Sequence, residues 1–122
     1  MNTATLTPAY PDFINEGERS VIDCLIRDAL ASDCLISIYD GEDRPVTRST
    51  DYTEITREIA ATDITTIRVE KMDGATKRSA VFVFVHGNLP SEVLSDMTDS
   101  DFANELFVGA EACADALEAR GM

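Results

Sequence analysis

Seven carboxylates crowd the last third of this 122-residue chain: Asp96, Asp99, Asp101, Glu105, Glu111, Asp115 and Glu118. They belong to a stretch, residues 87–119, that holds eight acids and no base. Glu111, Asp115 and Glu118 are spaced by four and then three residues, which makes them neighbours on one face of a helix. Like charges so placed repel by roughly 0.2–0.5 kcal/mol per pair in an isolated helix. No interleaved lysine relieves them. One chemistry suits such a row, namely carboxylates standing in for phosphates in an Arg/Lys-lined groove. The competing account is solubility or salt adaptation, since the chain has two lysines against eight arginines and abundant aspartate.

Other chemistries have weaker support. Asp96, Asp99 and Asp101 suggest a calcium loop, because hard cations want several carboxylates together. The EF-hand pattern fails. Counted from Asp99, its sixth position is Asn104 instead of glycine and its twelfth is Ala110 instead of glutamate. Aspartates at a helix start are better explained as caps. His86 is the only imidazole, at the end of an apolar run, with no nucleophile elbow or oxyanion glycine turn beside it. One histidine cannot build a histidine-rich zinc site. Cys24, Cys34 and Cys113 are odd in number and form no CxxC pair, so they read as small buried hydrophobes in a reducing compartment. Any two of the twenty-three acids could meet as a glycosidase pair, and none is favoured. Phosphate-cradling glycine motifs are absent from the sequence. The expectation is no catalytic, cofactor-binding or metal-binding residue.

The net charge is −13 and the isoelectric point about 4.2. Residues 1–43 hold nine acids and two bases, whereas residues 64–86 hold two acids and four bases. Such a chain does not approach nucleic acid or an anionic membrane unaided; it attracts basic surfaces. An apolar fraction of 44% suits a globular fold. The sequence shows no apolar run of bilayer length and no basic start followed by an apolar signal segment, so a cytoplasmic address is expected.

The elements that must position these groups centre on Ala80–Val85. Six consecutive apolar residues do not alternate, which predicts a central strand covered on both faces. Asp73-Gly74 makes it a hairpin with residues 65–71. Residues 1–11, with two prolines and no periodicity, read as a loose arm, and 12–122 as one domain. A helix is predicted from Asp12 or Gly17 to Ala31. Its stripe is Ile14, Val21, Ile22, Leu25, Ile26, Ala29 and Leu30, with Glu18, Arg19, Asp23, Arg27 and Asp28 facing water. Residues 34–39 and 44–48 read as strands joined by a turn at 40–43, and Pro45 puts the second at a sheet edge. Asp51 and Glu54 cap a helix with Tyr52, Ile55 and Ile59 inward; residues 60–63 end it. After a loop at 87–90, residues 91–97 favour a short strand over a helical turn. A last helix spans 101–119, capped by Thr98, Asp99 or Asp101 and slimmed by alanines at 103, 110, 112, 114 and 116. The order α-β-β-α-β-β-(β)-α predicts an α+β fold, a mainly antiparallel sheet of four or five strands with three helices.

Residues Ser37–Asp43, Arg48–Asp51, Ala61–Asp63, His86–Asn88 and Glu92–Asp99 give the chain a resemblance. Over residues 13–107 it is similar to a family of small proteins found in bacteriophages, prophages and their hosts. The resemblance implies a phage or mobile-element origin in a bacterial cell and carries over no catalytic residue. By analogy, other small acidic phage proteins inhibit host defence by imitating the charge of nucleic acid.

The reading that follows is a non-enzymatic inhibitor of a host nucleic-acid-handling complex, for instance an anti-CRISPR. Its protein-binding residues would be the seven acids, and its partner a basic nucleic-acid-binding protein, with no direct contact to nucleic acid or membrane. A second reading is a homodimeric structural or virion accessory protein, paired through the Pro45 edge or the alanine face of the last helix. The third is a small hydrolase using His86 with a cysteine or aspartate.

Overall fold

Local chemistry sets the ends of each element in a computed structural model that describes Tyr10 and residues 15–40, 43–59, 64–86 and 93–121. Helix α1 (Glu16–Ala31) starts where the Asn15 side chain accepts from the Gly17 N–H at 2.7 Å. Strands β1 (Leu35–Asp40) and β2 (Asp43–Ser49) follow, then helix α2 (Tyr52–Arg57), where the Asp51 carboxylate accepts from Glu54 N–H at 3.2 Å. Strands β3 (Ile64–Asp73) and β4 (Thr76–Val85) form the long hairpin, and Gly74 at its tip takes φ +64°, a left-handed conformation suited to glycine. Strand β5 (Leu94–Met97) and helix α3 (Asp101–Ala119) complete the order. The cap of α3 is Ser100, whose hydroxyl accepts from Ala103 N–H at 3.1 Å, not Thr98, Asp99 or Asp101. Thr98 instead extends the β5 pairing, bonding Val81 through both its backbone N–H and its hydroxyl at 2.9 Å. The turn at 41–42, the link at 60–63, the loop at 87–90, Ile14 and most of the 1–11 arm lie outside the described residues.

Every neighbouring strand pair is antiparallel, in the spatial order β2-β1-β3-β4-β5. This is the α+β arrangement the hairpins predict, with Pro45 in an edge strand and residues 94–97 a strand. The central place belongs to β3, however, and β4 is one strand in from the edge.

The double covering expected for β4 is also corrected. Ala80, Phe82 and Phe84 are buried, while Val81, Val83 and Val85 are only half-buried. Cross-strand partners share a face. The registers therefore put Ile36, Ile38, Ile67, Val69, Phe82 and Phe84 together under the helices. Leu35, Tyr39, Val81, Val83 and Val85 share the other face, and none of them joins the core. All three helices feed one core: Val21, Ile22 and Leu25 from α1, Tyr52 and Ile55 from α2, and Phe102, Leu106 and Phe107 from α3. Phe107 stacks on Phe82 with ring centroids 5.8 Å apart. Of the α3 alanines, Ala103 and Ala110 are buried, whereas Ala112 and Ala116 are exposed.

Near its middle the open face is polar. Glu70, 7% exposed, is paired with Lys77 at 2.6 Å and lies 4.0 Å from Arg48. The Lys77 ammonium holds its carboxyl below the usual range, against the opposing effect of burial. Ser37, also buried, accepts from Arg48 N–H at 2.9 Å, which ties down a residue at φ +48°. Among the described residues no helix is long and apolar enough to cross a membrane.

Two stability measurements check this architecture. In urea denaturation Phe82→Ala should cost about 3–5 kcal/mol, and Val83→Ala on the open face about 1 kcal/mol; equal losses would contradict one-sided burial. Because its folded pKa is depressed, Glu70 stabilises fully above its unfolded pKa and loses that contribution as pH falls through the folded value. The stability advantage of wild type over Glu70→Gln should accordingly shrink below about pH 4.3, and an advantage that grows on acidification would refute the pairing.

Candidate functional site

Successive residues on a helix are set about 100° apart, so one arc of α3 faces the core and the other faces water. Phe102, Ala103, Leu106, Phe107, Ala110 and Leu117 take the inner arc. Asp101, Glu105, Glu111, Asp115 and Glu118 all fall on the outer arc and are exposed. Val108 sits in the middle of them at 64% exposure. Nineteen residues make this face about 28 Å long.

Two of the seven candidate residues belong elsewhere or at the margin. Asp99 is exposed in the link between β5 and α3, beside the first turn of the helix. Asp96 is exposed on edge strand β5 and pairs in register with Val83. It therefore shares the open face of the sheet, on the side away from α3. The structure gathers five helical acids, with Asp99 at their end, and separates Asp96 from them.

Within the described residues none of the seven makes an ion pair; the pairs present are Arg27–Asp23, Arg48–Glu70, Lys77–Glu70 and His86–Glu18. The last turn of α3 carries no base. Glu118 thus lies against the negative end of the helix dipole, an arrangement that opposes folding. Basic groups of the sheet approach the acidic face near Glu105. There Lys71 and Arg78 of the hairpin share a cleft with Glu105, Phe102, Leu106 and Ser32, and Arg78 lies over the Phe102 ring at 4.9 Å.

His86 is placed in a setting the sequence reading missed. Its Nε2 is 2.8 Å from Thr65 Oγ1, and its Nδ1 is 3.5 Å from Glu18 Oε1. Glu18, expected to face water, is 2% exposed. Carboxylate, imidazole and hydroxyl follow one another as in a hydrolytic triad. Among the described residues the contacts of this node include neither a cysteine nor an aspartate, and Thr65 is itself buried. The arrangement ties the first turn of α1 to the ends of β3 and β4. The sequence did hold a signal: Glu18 precedes Ile22 by four residues and Leu25 by seven, on the buried stripe.

A second polar node positions α1 against α2. Asp23 Oδ1 accepts from Tyr10 at 2.7 Å and from the Tyr52 hydroxyl, and its Oδ2 accepts from Arg27 Nε at 2.6 Å. The Arg27 guanidinium also lies 4.7 Å from the Tyr52 ring centroid. Burial, then the Asp23 carboxylate, pushes the Tyr52 phenol up to about 12 and raises that of Tyr10. Tyr10 is thereby fastened, although it falls in the stretch read as a loose arm. No group of three or more His, Cys, Asp or Glu among the described residues is arranged to hold a metal ion.

Fold and surface together define a two-layer α+β protein with one acidic helix face. The chain matches no family model, no curated protein and no solved structure.

If the acids of α3 contribute nothing to folding, removing one at its C-terminal end should help. Glu118→Lys is expected to raise stability by about 0.3–1 kcal/mol at low salt, with the gain fading as salt is added. A loss of stability in the same denaturation experiment would show that the carboxylate has a structural role.

Proposed function

We propose that this chain is a non-enzymatic binding protein whose α3 outer face occupies a basic groove that otherwise holds nucleic acid. The observation that carries this reading is the gathering of Asp101, Glu105, Glu111, Asp115 and Glu118 on one exposed helix face without ion pairs among the described residues. From Asp101 to Glu118 the helix rises about 26 Å, which spaces the five carboxylates by roughly 6 Å on average. A nucleic-acid strand carries one phosphate per about 3.4 Å. The helix face is a sparser but comparable line of charge, with exposed Val108 offering an apolar contact at its centre. In the phage setting the resemblance implies, the outcome is inhibition of a host nucleic-acid-handling complex, an anti-CRISPR activity being one form. Asp96 and Asp99 serve as flanking charge that draws the basic partner in.

The second reading, a homodimeric structural or virion accessory protein, is favoured by a different observation. The open sheet face presents Leu35, Tyr39, Val81, Val83 and Val85 half-buried and Ile64 and Met72 about half-exposed, beside the β2 edge. The alanine face of α3 serves this reading less well, because Ala103 and Ala110 are already used in the core.

The two readings part in a capture experiment from bacterial lysate. Wild type is expected to retain a nucleic-acid-binding protein that added duplex DNA or structured RNA displaces. An E111K/D115K/E118K variant is expected to lose it, and capture should weaken steeply with salt. Equal capture by both forms, or binding indifferent to salt, would overturn the docking reading. Sedimentation of the protein alone as a dimer at micromolar concentration would support the second.

A further inference from the structure

Cys24 and Cys113 depart from the expectation that all three cysteines are buried hydrophobes: Cys34 is buried, but these two are only partly so. They lie on α1 and α3, which pack side by side. The pairing register of these helices is fixed by contacts on successive turns. The Asp28 carboxylate reaches over Gly109, so closely that a Cβ there would stand 2.5 Å from Asp28 Oδ2. Four residues after Asp28, Ser32 shares a cleft with Glu105, four residues before Gly109. Four residues in the opposite direction bring Cys24 opposite Cys113, as antiparallel helices require. Beyond the effect of burial, Cys113 lies close enough there to push the Cys24 thiol up. Two turns thus agree on one register, and continuing it one turn sets Cys24 against Cys113 at its outer end.

We propose that Cys24 and Cys113 form a reversible disulfide that staples α1 to α3 when the protein meets a peroxide. A disulfide needs facing Cβ atoms about 4 Å apart, and the α1–α3 register already sets the two cysteines opposite each other. One thiolate attacks a peroxide oxygen, the O–O bond breaks, and a sulfenic acid forms as the released hydroxide takes a proton to become water. The second sulfur then attacks the sulfenyl sulfur. The S–S bond forms, the S–O bond breaks, and a second water leaves with the thiol proton. Two thiols are oxidised and one peroxide is reduced. Burial, then the adjacent Cys113, Asp28 and Asp23, pushes the Cys24 thiol up to about 11. The staple would hold the half of α3 that carries Glu111, Asp115 and Glu118 without changing any of their charges. It stands whether or not that face binds a partner.

The test treats the folded protein with hydrogen peroxide, unfolds it in denaturant with an alkylating reagent, and maps the three cysteines by mass spectrometry. Cys24 and Cys113 should lose alkylation together, appear as one cross-linked peptide pair within a single chain, and recover with dithiothreitol, while Cys34 stays alkylated. Cys34→Ser should form the bridge as wild type does. Full alkylation of Cys24 and Cys113 after peroxide, or a bridge found only between chains or to Cys34, would overturn the proposal.

Discussion

The structure depends on a sheet whose described helices all lie on one of its faces. Ile36, Ile38, Ile67, Val69, Phe82 and Phe84 present one apolar surface, and buried apolar residues of the described helices join it in a single core. Burying side chains of this size stabilises by about 1.5–3 kcal/mol each, so the helices cannot slide or rotate without exposing them. That constraint fixes which side of α3 meets water. With Phe102, Leu106, Phe107 and Ala110 committed inward, Asp101, Glu105, Glu111, Asp115 and Glu118 must point outward together. The acidic face is a consequence of core packing combined with where the chain places its carboxylates.

Much of this could be read from the residues because the strongest signals are periodic or local. The stripe of α1, the Asp-Gly turn, the Asp51 cap and the order of elements follow from side chains only a few positions apart. The Ala80–Val85 run misled because six apolar residues in a row carry no information about which face is covered; a half-open valine face and a covered one read alike. Glu18 was assigned to water by its charge, although its position on the helix places it among Val21, Ile22 and Leu25. The partly buried His86, itself bonded to buried Thr65, meets that charge, and both residues lie far along the chain.

The candidate site shows the same division. The five acids of α3 share a face because helical spacing alone guarantees it. Asp96 is near them in sequence but not in direction, since its side is set by the pairing of β5 with Val83 and not by any local pattern. The Cys24–Cys113 contact was equally invisible, as it depends on the antiparallel register of α1 and α3. Local periodicity identifies faces, and only tertiary register says which faces meet.

Charge placement also separates the two halves of the molecule in energetic terms. The hairpin and open sheet hold Arg68, Lys71, Lys77 and Arg78, and Glu70 is neutralised there by direct pairing. On α3 there is repulsion and an unfavourable dipole, with no ion pair among the described residues to offset either. The docking role proposed above gives a reason for an acidic face that works against the fold. The most direct measurement is carbodiimide labelling of carboxylates on the complex captured by wild-type protein, read residue by residue against the protein alone. The account predicts protection at Glu105, Glu111, Asp115 and Glu118, with exposed Glu16 on α1 labelled equally in both states. Protection confined to Asp96 and the open sheet face, with the α3 acids still fully labelled, would contradict it.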